Sequence, residues 1–195
     1  MRRWWVAAAG LSMTLAACGP SGSGNVVSDQ RDVGVFDSIE VSGGIALRLN
    51  VDPSATVSVT VNYDDNIIDL IVTEVDGTTL QIESKGTYNT IGGEDRYVEV
   101  TVPTLLGLTA SGGADVIGQG ALDVLDVNAS GGANVDLALL PVGDVTLEAS
   151  GGANIVVNVT DAITGTASGG ADVSVQGDPP LQNIDVSGGA DLSNG

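Results

Sequence analysis

Histidine is absent from this sequence, and cysteine and lysine each occur once. Without histidine, the commonest general base and metal ligand is missing. A single cysteine excludes an intrachain disulfide. Basic residues number 6 against 25 acidic ones, a formal net charge of −19, which argues against binding to nucleic acid or to anionic lipid headgroups. Aromatic residues make up only 3% of the chain. What is abundant is Gly, Ala, Val and Asp, a composition that disfavours long helices and suits short strands joined by tight corners. A chain of 195 residues is enough for one domain with a real core.

The start of the chain reads as a targeting segment. Arg2 and Arg3 precede an apolar run that ends in small residues, the pattern of a secretion signal. The run is too short for a comfortable transmembrane helix. Leu15-Ala16-Ala17-Cys18 resembles the lipobox of bacterial lipoproteins. That resemblance implies cleavage of residues 1–17, lipidation of Cys18, and a membrane as one partner of the mature protein. Gly19 rather than Asp follows Cys18, which by the same analogy favours the outer membrane. Cleavage would remove Trp4 and Trp5, leave Arg31, Arg48, Lys85 and Arg96 as the only basic side chains, and move the net charge to −21.

Residues 18–30 are rich in Gly and Ser and read as a lipidated cysteine and flexible tether. From Arg31 to the C-terminus the pattern is that of one β domain. Apolar and polar residues alternate over 36–51, 56–63, 78–84 and 96–103, an irregular strand half covering 31–103. Asp76-Gly77 marks a turn. The stretch 64–72 predicts a helical turn and 85–95 a loop.

Residues 104–195 are a repeat. Ser-Gly-Gly-Ala followed by Asp or Asn occurs five times, with serines at Ser111, Ser130, Ser150, Ser168 and Ser187. The spacings are 19, 20, 18 and 19 residues. Positions three before each serine (Leu108, Val127, Leu147, Gly165, Ile184), five before (Leu106, Leu125, Val145, Ile163, Gln182) and five after (Val116, Val135, Ile155, Val173, Leu192) are mostly apolar or small. A period of two predicts strands with one buried face. A coil of about 19 residues must return to its start, so the chain has to bend, and the glycine pairs mark where. The corner residues are Gly112, Gly113, Gly131, Gly132, Gly151, Gly152, Gly169, Gly170, Gly188 and Gly189, with small alanines on either side. A looser copy, VSGGIAL at 41–47, predicts the same corner in the first half. The expected fold is all-β: a single-domain, right-handed, parallel β-helix-like solenoid with coils of about 19 residues and Gly-Gly corners.

The stretches FDSIEVSGGIALRLNV, DGTTLQIES, YVEVTVPTLLGLTASGGADV and the serial SGGANV, SGGANI, SGGADV and SGGADL resemble the bacterial head GIN domain, a family described as an autotransporter-adhesin head. The resemblance covers about residues 33–193. It implies a secreted or lipid-anchored, all-β protein of stacked strands, and by its name a role in adhesion. Family members often carry S-G-S-G or S-G-x-G where this chain has S-G-G-A throughout.

For function, the sequence points away from catalysis. Ser without His has no activating partner, and five serines repeated by structure single out none. No helix or lysine follows the glycines, as a phosphate cradle would require. The repeat half has no aromatic platform for a sugar. Asp115, Asn134, Asn154, Asp172 and Asp191 form one outward column, predicted to be a hydrogen-bonding Asx ladder. Asp172 and Asp191 are adjacent acids that a hard cation such as Ca²⁺ could bridge, and no other cofactor is expected. The expected protein is a non-catalytic, lipid-anchored envelope component acting in surface interaction or adhesion, with a protein or glycan partner. The alternatives are a periplasmic structural or envelope-stress scaffold and a Ca²⁺-stabilised glycan-binding module.

Overall fold

The computed structural model describes residues 19–90 and 95–195. The expected signal segment, Cys18, and residues 91–94 of the expected loop lie outside the described residues. The first half contributes β1 (Val26–Arg31), β2 (Ser38–Val41), β3 (Ala46–Val51), β4 (Ser58–Asp64), β5 (Ile71–Asp76), β6 (Thr79–Ser84) and β7 (Tyr97–Val102). The repeats contribute β8 (Gly107–Ala110), β9 (Asp115–Gln119), β10 (Leu122–Ala129), β11 (Asn134–Ala149), β12 (Asn154–Ala167), β13 (Asp172–Gln176), β14 (Leu181–Val186) and β15 (Asp191–Asn194). The helical turn expected in 64–72 is a single 3-10 turn, Ile68–Leu70.

The fold is a β-solenoid. Strands entering the corners stack as one column that includes β6, β2, β8 and β10, continued by the C-terminal parts of β11 and β12 and by β14. Strands leaving the corners stack as a second column, β7, β3, β9, the N-terminal parts of β11 and β12, β13 and β15. All these pairings are parallel. The parallel β-helix-like solenoid expected from the sequence is observed, and in the irregular first half β1, β4 and β5 pair antiparallel with their neighbours. There the chain reverses through short connections, such as the two-residue turn at Gly77-Thr78, instead of completing a coil.

The order of assembly is not the order of the chain. The coil β2–β3 comes first in sequence, yet it lies inside the stack, with β6–β7 on one side and β8–β9 on the other. The expected tether is corrected. Residues 26–30 belong to β1, which pairs with β4 from Val26↔Asp64 to Arg31↔Val59. Pairing along the exposed edge of β4 satisfies backbone groups that the Gly/Ser composition alone would leave to water.

Inward columns are filled as the alternation predicts. Leu108, Val127 and Leu147 stack, as do Val116, Val135, Ile155 and Val173, all buried. Leu106 is the exception at 52% exposure, because Leu105 takes the inward place and the alternation slips by one residue as the chain enters β8. In the last coil Gln182, Ile184 and Leu192 are half-buried.

Each corner is a tight turn with solvent outside and alanine inside. The N–H of Ala114 returns to the Ser111 carbonyl at 3.1 Å, and that of Ala133 to Ser130 at 3.3 Å. Ala110, Ala114, Ala133 and Ala153 are buried where the two columns converge and nothing larger fits. The first glycine of each repeat corner is left-handed, with φ from 61° at Gly112 to 74° at Gly188. It also lies against the preceding corner: a Cβ on Gly131 would come within 3.1 Å of the Gly112 nitrogen. The second glycine is left-handed in the 41–47 copy and at Gly113, but not at Gly132, Gly152, Gly170 or Gly189. From the Ser150 corner onward the glycines themselves are also bonded to those of the corner before, with Gly152 donating to Gly131 at 2.7 Å and Gly170 to Gly151 at 2.6 Å.

Candidate functional site

One crossing between the two columns lacks the Ser-Gly-Gly turn. Between β6 and β7 the chain takes residues 85–96, and beside this long connection the surface opens into a groove of about 830 Å³. That is within the usual size of a ligand site, about 300–1,000 Å³. One wall is the outer face of β3 and β9, with Arg48, Asp115 and Ile117. The other is Ser84, Gly86, Thr87, Tyr88 and Thr90. The first tight corner, Gly43 and Gly44, forms one edge.

All three tyrosines of the chain line this groove, although they come from three different segments. Tyr63 lies near the end of β4 and is 2% exposed. Tyr88 meets it edge-on, with ring centroids 6.0 Å apart and an interplanar angle of 88°. Tyr97 opens β7, and the Arg48 guanidinium lies 3.6 Å from its ring centroid, a cation–π stack. Burial pushes the hydroxyls of Tyr63 and Tyr88 above the ordinary phenol range, so both are neutral at any physiological pH.

Beneath the tyrosines is an ion pair. Arg96 Nε donates to Asp64 Oδ2 at 2.5 Å and Arg96 Nη2 to Asp64 Oδ1 at 2.7 Å. Both side chains are buried. The two-pronged bond to Arg96 holds the Asp64 carboxyl below the usual carboxylate range, against the opposing effect of burial. Asp64 Oδ1 also accepts the Gly24 N–H at 2.6 Å.

That last bond belongs to a series that fixes the start of the described chain against the groove. Gly22 N–H donates to the Asn89 carbonyl at 2.7 Å, and Asn89 N–H to the Pro20 carbonyl at 3.0 Å. Asp65 accepts from Ser23 Oγ at 2.6 Å and from Asn25 Nδ2 at 2.9 Å, bonds that lower its pKa. Asn66 Nδ2 donates to the Ser21 carbonyl. A Cβ on Gly19 would collide with the Thr87 carbonyl, so Gly19 lies on the backbone of a groove residue.

The sequence-selected columns lie elsewhere, except where Asp115 joins the groove. Asp115, Asn134, Asn154, Asp172 and Asp191 open successive strands in register and are exposed. Asn134 Nδ2 donates to Asp115 Oδ1 at 3.0 Å, one rung of the expected Asx ladder. Asp172 and Asp191 pair directly across β13 and β15. Among the described residues no third His, Cys, Asp or Glu joins them to form a metal-holding group. The groove itself was missed from the sequence. Its only local signal is the long loop that interrupts the corner pattern, because Tyr63, Tyr88 and Tyr97 meet only after β4 and β7 pair.

A family model described as "Putative auto-transporter adhesin, head GIN domain" matches residues 35–123 and again 108–179. No curated protein matches the chain. Among solved structures, it is similar to a putative adhesin from Bacteroides fragilis, with TM-score 0.60, 18% identity, and coverage of 90% of this chain and 100% of that one. A putative adhesin from Parabacteroides distasonis gives TM-score 0.60 and 19% identity, with 90% and 99% covered. A putative lipid binding protein from the same organism gives 0.56 and 17%, with 90% and 98% covered. At these identities the likenesses establish the fold.

Proposed function

The chain belongs to this head GIN adhesin family, and from that membership we propose a non-catalytic protein of the bacterial cell envelope that acts by surface interaction, held in its membrane by lipid on Cys18. The family match is the observation that carries this reading. The lipobox-like Leu15–Cys18 supports the anchor, and Gly19 after it supports the outer membrane. The stacked coils supply a rigid body, and its outward faces in the repeats bear acidic and amide side chains suited to a polar partner.

Protease shaving of intact and permeabilised cells, followed by blotting for the repeat domain, tests the reading. Loss of signal on intact cells is the expected result. Protection until permeabilisation would replace adhesion by a periplasmic scaffold role. One observation favours that second reading: the fold begins at Pro20, so little chain separates the anchor from the domain.

A further inference from the structure

We propose that the groove-bearing end of the domain is seated on the lipid surface to which Cys18 is anchored, with Tyr88, Tyr97, Arg48 and Lys85 meeting the headgroups. The inference rests on the anchoring proposed above.

Three independent observations converge on this end. The first is where the described chain starts. Gly19 lies on Thr87 and Pro20 is hydrogen-bonded to Asn89, so the fold comes within two residues of Cys18. An extended residue spans at most about 3.6 Å, so lipid on Cys18 cannot be far from the groove wall. The second is charge. After Arg96 the chain carries twelve acidic residues and no basic one. Of the four cations after Cys18, Arg48 and Arg96 line the groove and Lys85 lies between the groove residues Ser84 and Gly86. Residues 19–96 carry 13 acidic and four basic residues, a net of −9, against −12 after Arg96, so of the −21 that argues against anionic headgroups the half bearing the groove has the smaller share and every cation that could offset it. The third is the tyrosines. Tyrosine favours the membrane–water interface, where one end of the ring is apolar and the other wet, and Tyr88 and Tyr97 are partly exposed at this end, with Tyr63 buried behind them. The adjoining Ile117 is 50% exposed, which adds apolar surface to the same rim.

Seating in this orientation points the repeat coils away from the membrane and gives the envelope protein a fixed attitude. If Cys18 carries the lipid, any introduced cysteine is the only free thiol. The lipidated full chain, bearing Thr87→Cys or Asp185→Cys labelled with an environment-sensitive dye, is reconstituted into phosphatidylethanolamine–phosphatidylglycerol vesicles containing a brominated lipid. Thr87 is on the groove wall and Asp185 is in the last coil; both are exposed. The dye at 87 is expected to be quenched and that at 185 not. Adding Lys85→Gln is expected to lower the ratio of seated to lifted domains about fivefold, the effect of one cation near an anionic surface. Equal, unquenched dyes on a chain that partitions into detergent overturn the seating while leaving the anchor intact. A chain that stays in the aqueous phase overturns the anchor and the seating together.

Discussion

Arg96 and Asp64 are bound by two parallel hydrogen bonds, 2.5 and 2.7 Å, in the interior where β4 and β7 meet. Removing one partner leaves the other charge buried and uncompensated. Arg96→Met is therefore expected to destabilise the domain by about 3–5 kcal/mol. The double variant Arg96→Met with Asp64→Leu is expected to recover most of that loss, because two apolar groups leave no orphan charge. Urea unfolding of the wild type, Arg96→Met, Asp64→Leu and the double variant checks this, and additive losses would contradict it.

The same pair sets an acid limit. The Asp64 carboxyl is held below its ordinary value, chiefly by its bonds to Arg96. A carboxyl depressed in the folded state contributes stability above its unfolded pKa of about 3.9, and loses it as pH falls through the folded value. Asp65 and Asp52 are shifted the same way by their hydroxyl and amide donors. The unfolding free energy is expected to fall steadily below about pH 4. Asp64→Asn is expected to flatten that fall. Parallel pH profiles of the two proteins would remove Asp64 from the linkage.

The two glycines of a corner are not equivalent. Gly131 has φ 71° and lies against the Gly112 backbone. Gly132 has no positive φ, and a methyl added there would meet no neighbouring segment within 4 Å. Gly131→Ala is expected to cost about 1–2 kcal/mol from the left-handed backbone alone, and more from the contact. Gly132→Ala is expected to be neutral, or stabilising by up to about 1 kcal/mol through the unfolded chain. Thermal melts of the pair decide it, and equal losses would sink the distinction.

In the outward column, Asn134 bonds to Asp115, whereas Asp172 faces Asp191 as like charges. Asp191→Asn is expected to stabilise the last coil by roughly 0.5 kcal/mol at low salt. Repeating the melts with Ca²⁺ separates two cases. A larger gain for the wild-type chain than for the variant would mean that the two carboxylates hold the ion. No difference leaves only repulsion.

The coil, its period and its corners were legible in the sequence because they are local. Alternation over a few residues specifies a strand face, and a serine–glycine–glycine–alanine turn specifies the bend, wherever the coil is stacked. The solenoid and its buried columns at Leu108, Val127 and Leu147 follow from that alone. Tertiary pairing decided the rest. Residues 26–30 look like a tether, yet they are a strand because β4 offers a free edge. Leu106 faces out because Leu105 faces in, a one-residue slip that period alone does not fix. The coil β6–β7 slides beneath β2–β3, and this non-local step brings Tyr63, Tyr88, Tyr97, Arg48 and Arg96 to one groove beside the start of the fold. No window of the sequence contains that set, because the energy that assembles it lies in strand pairings and core contacts between segments far apart in the chain.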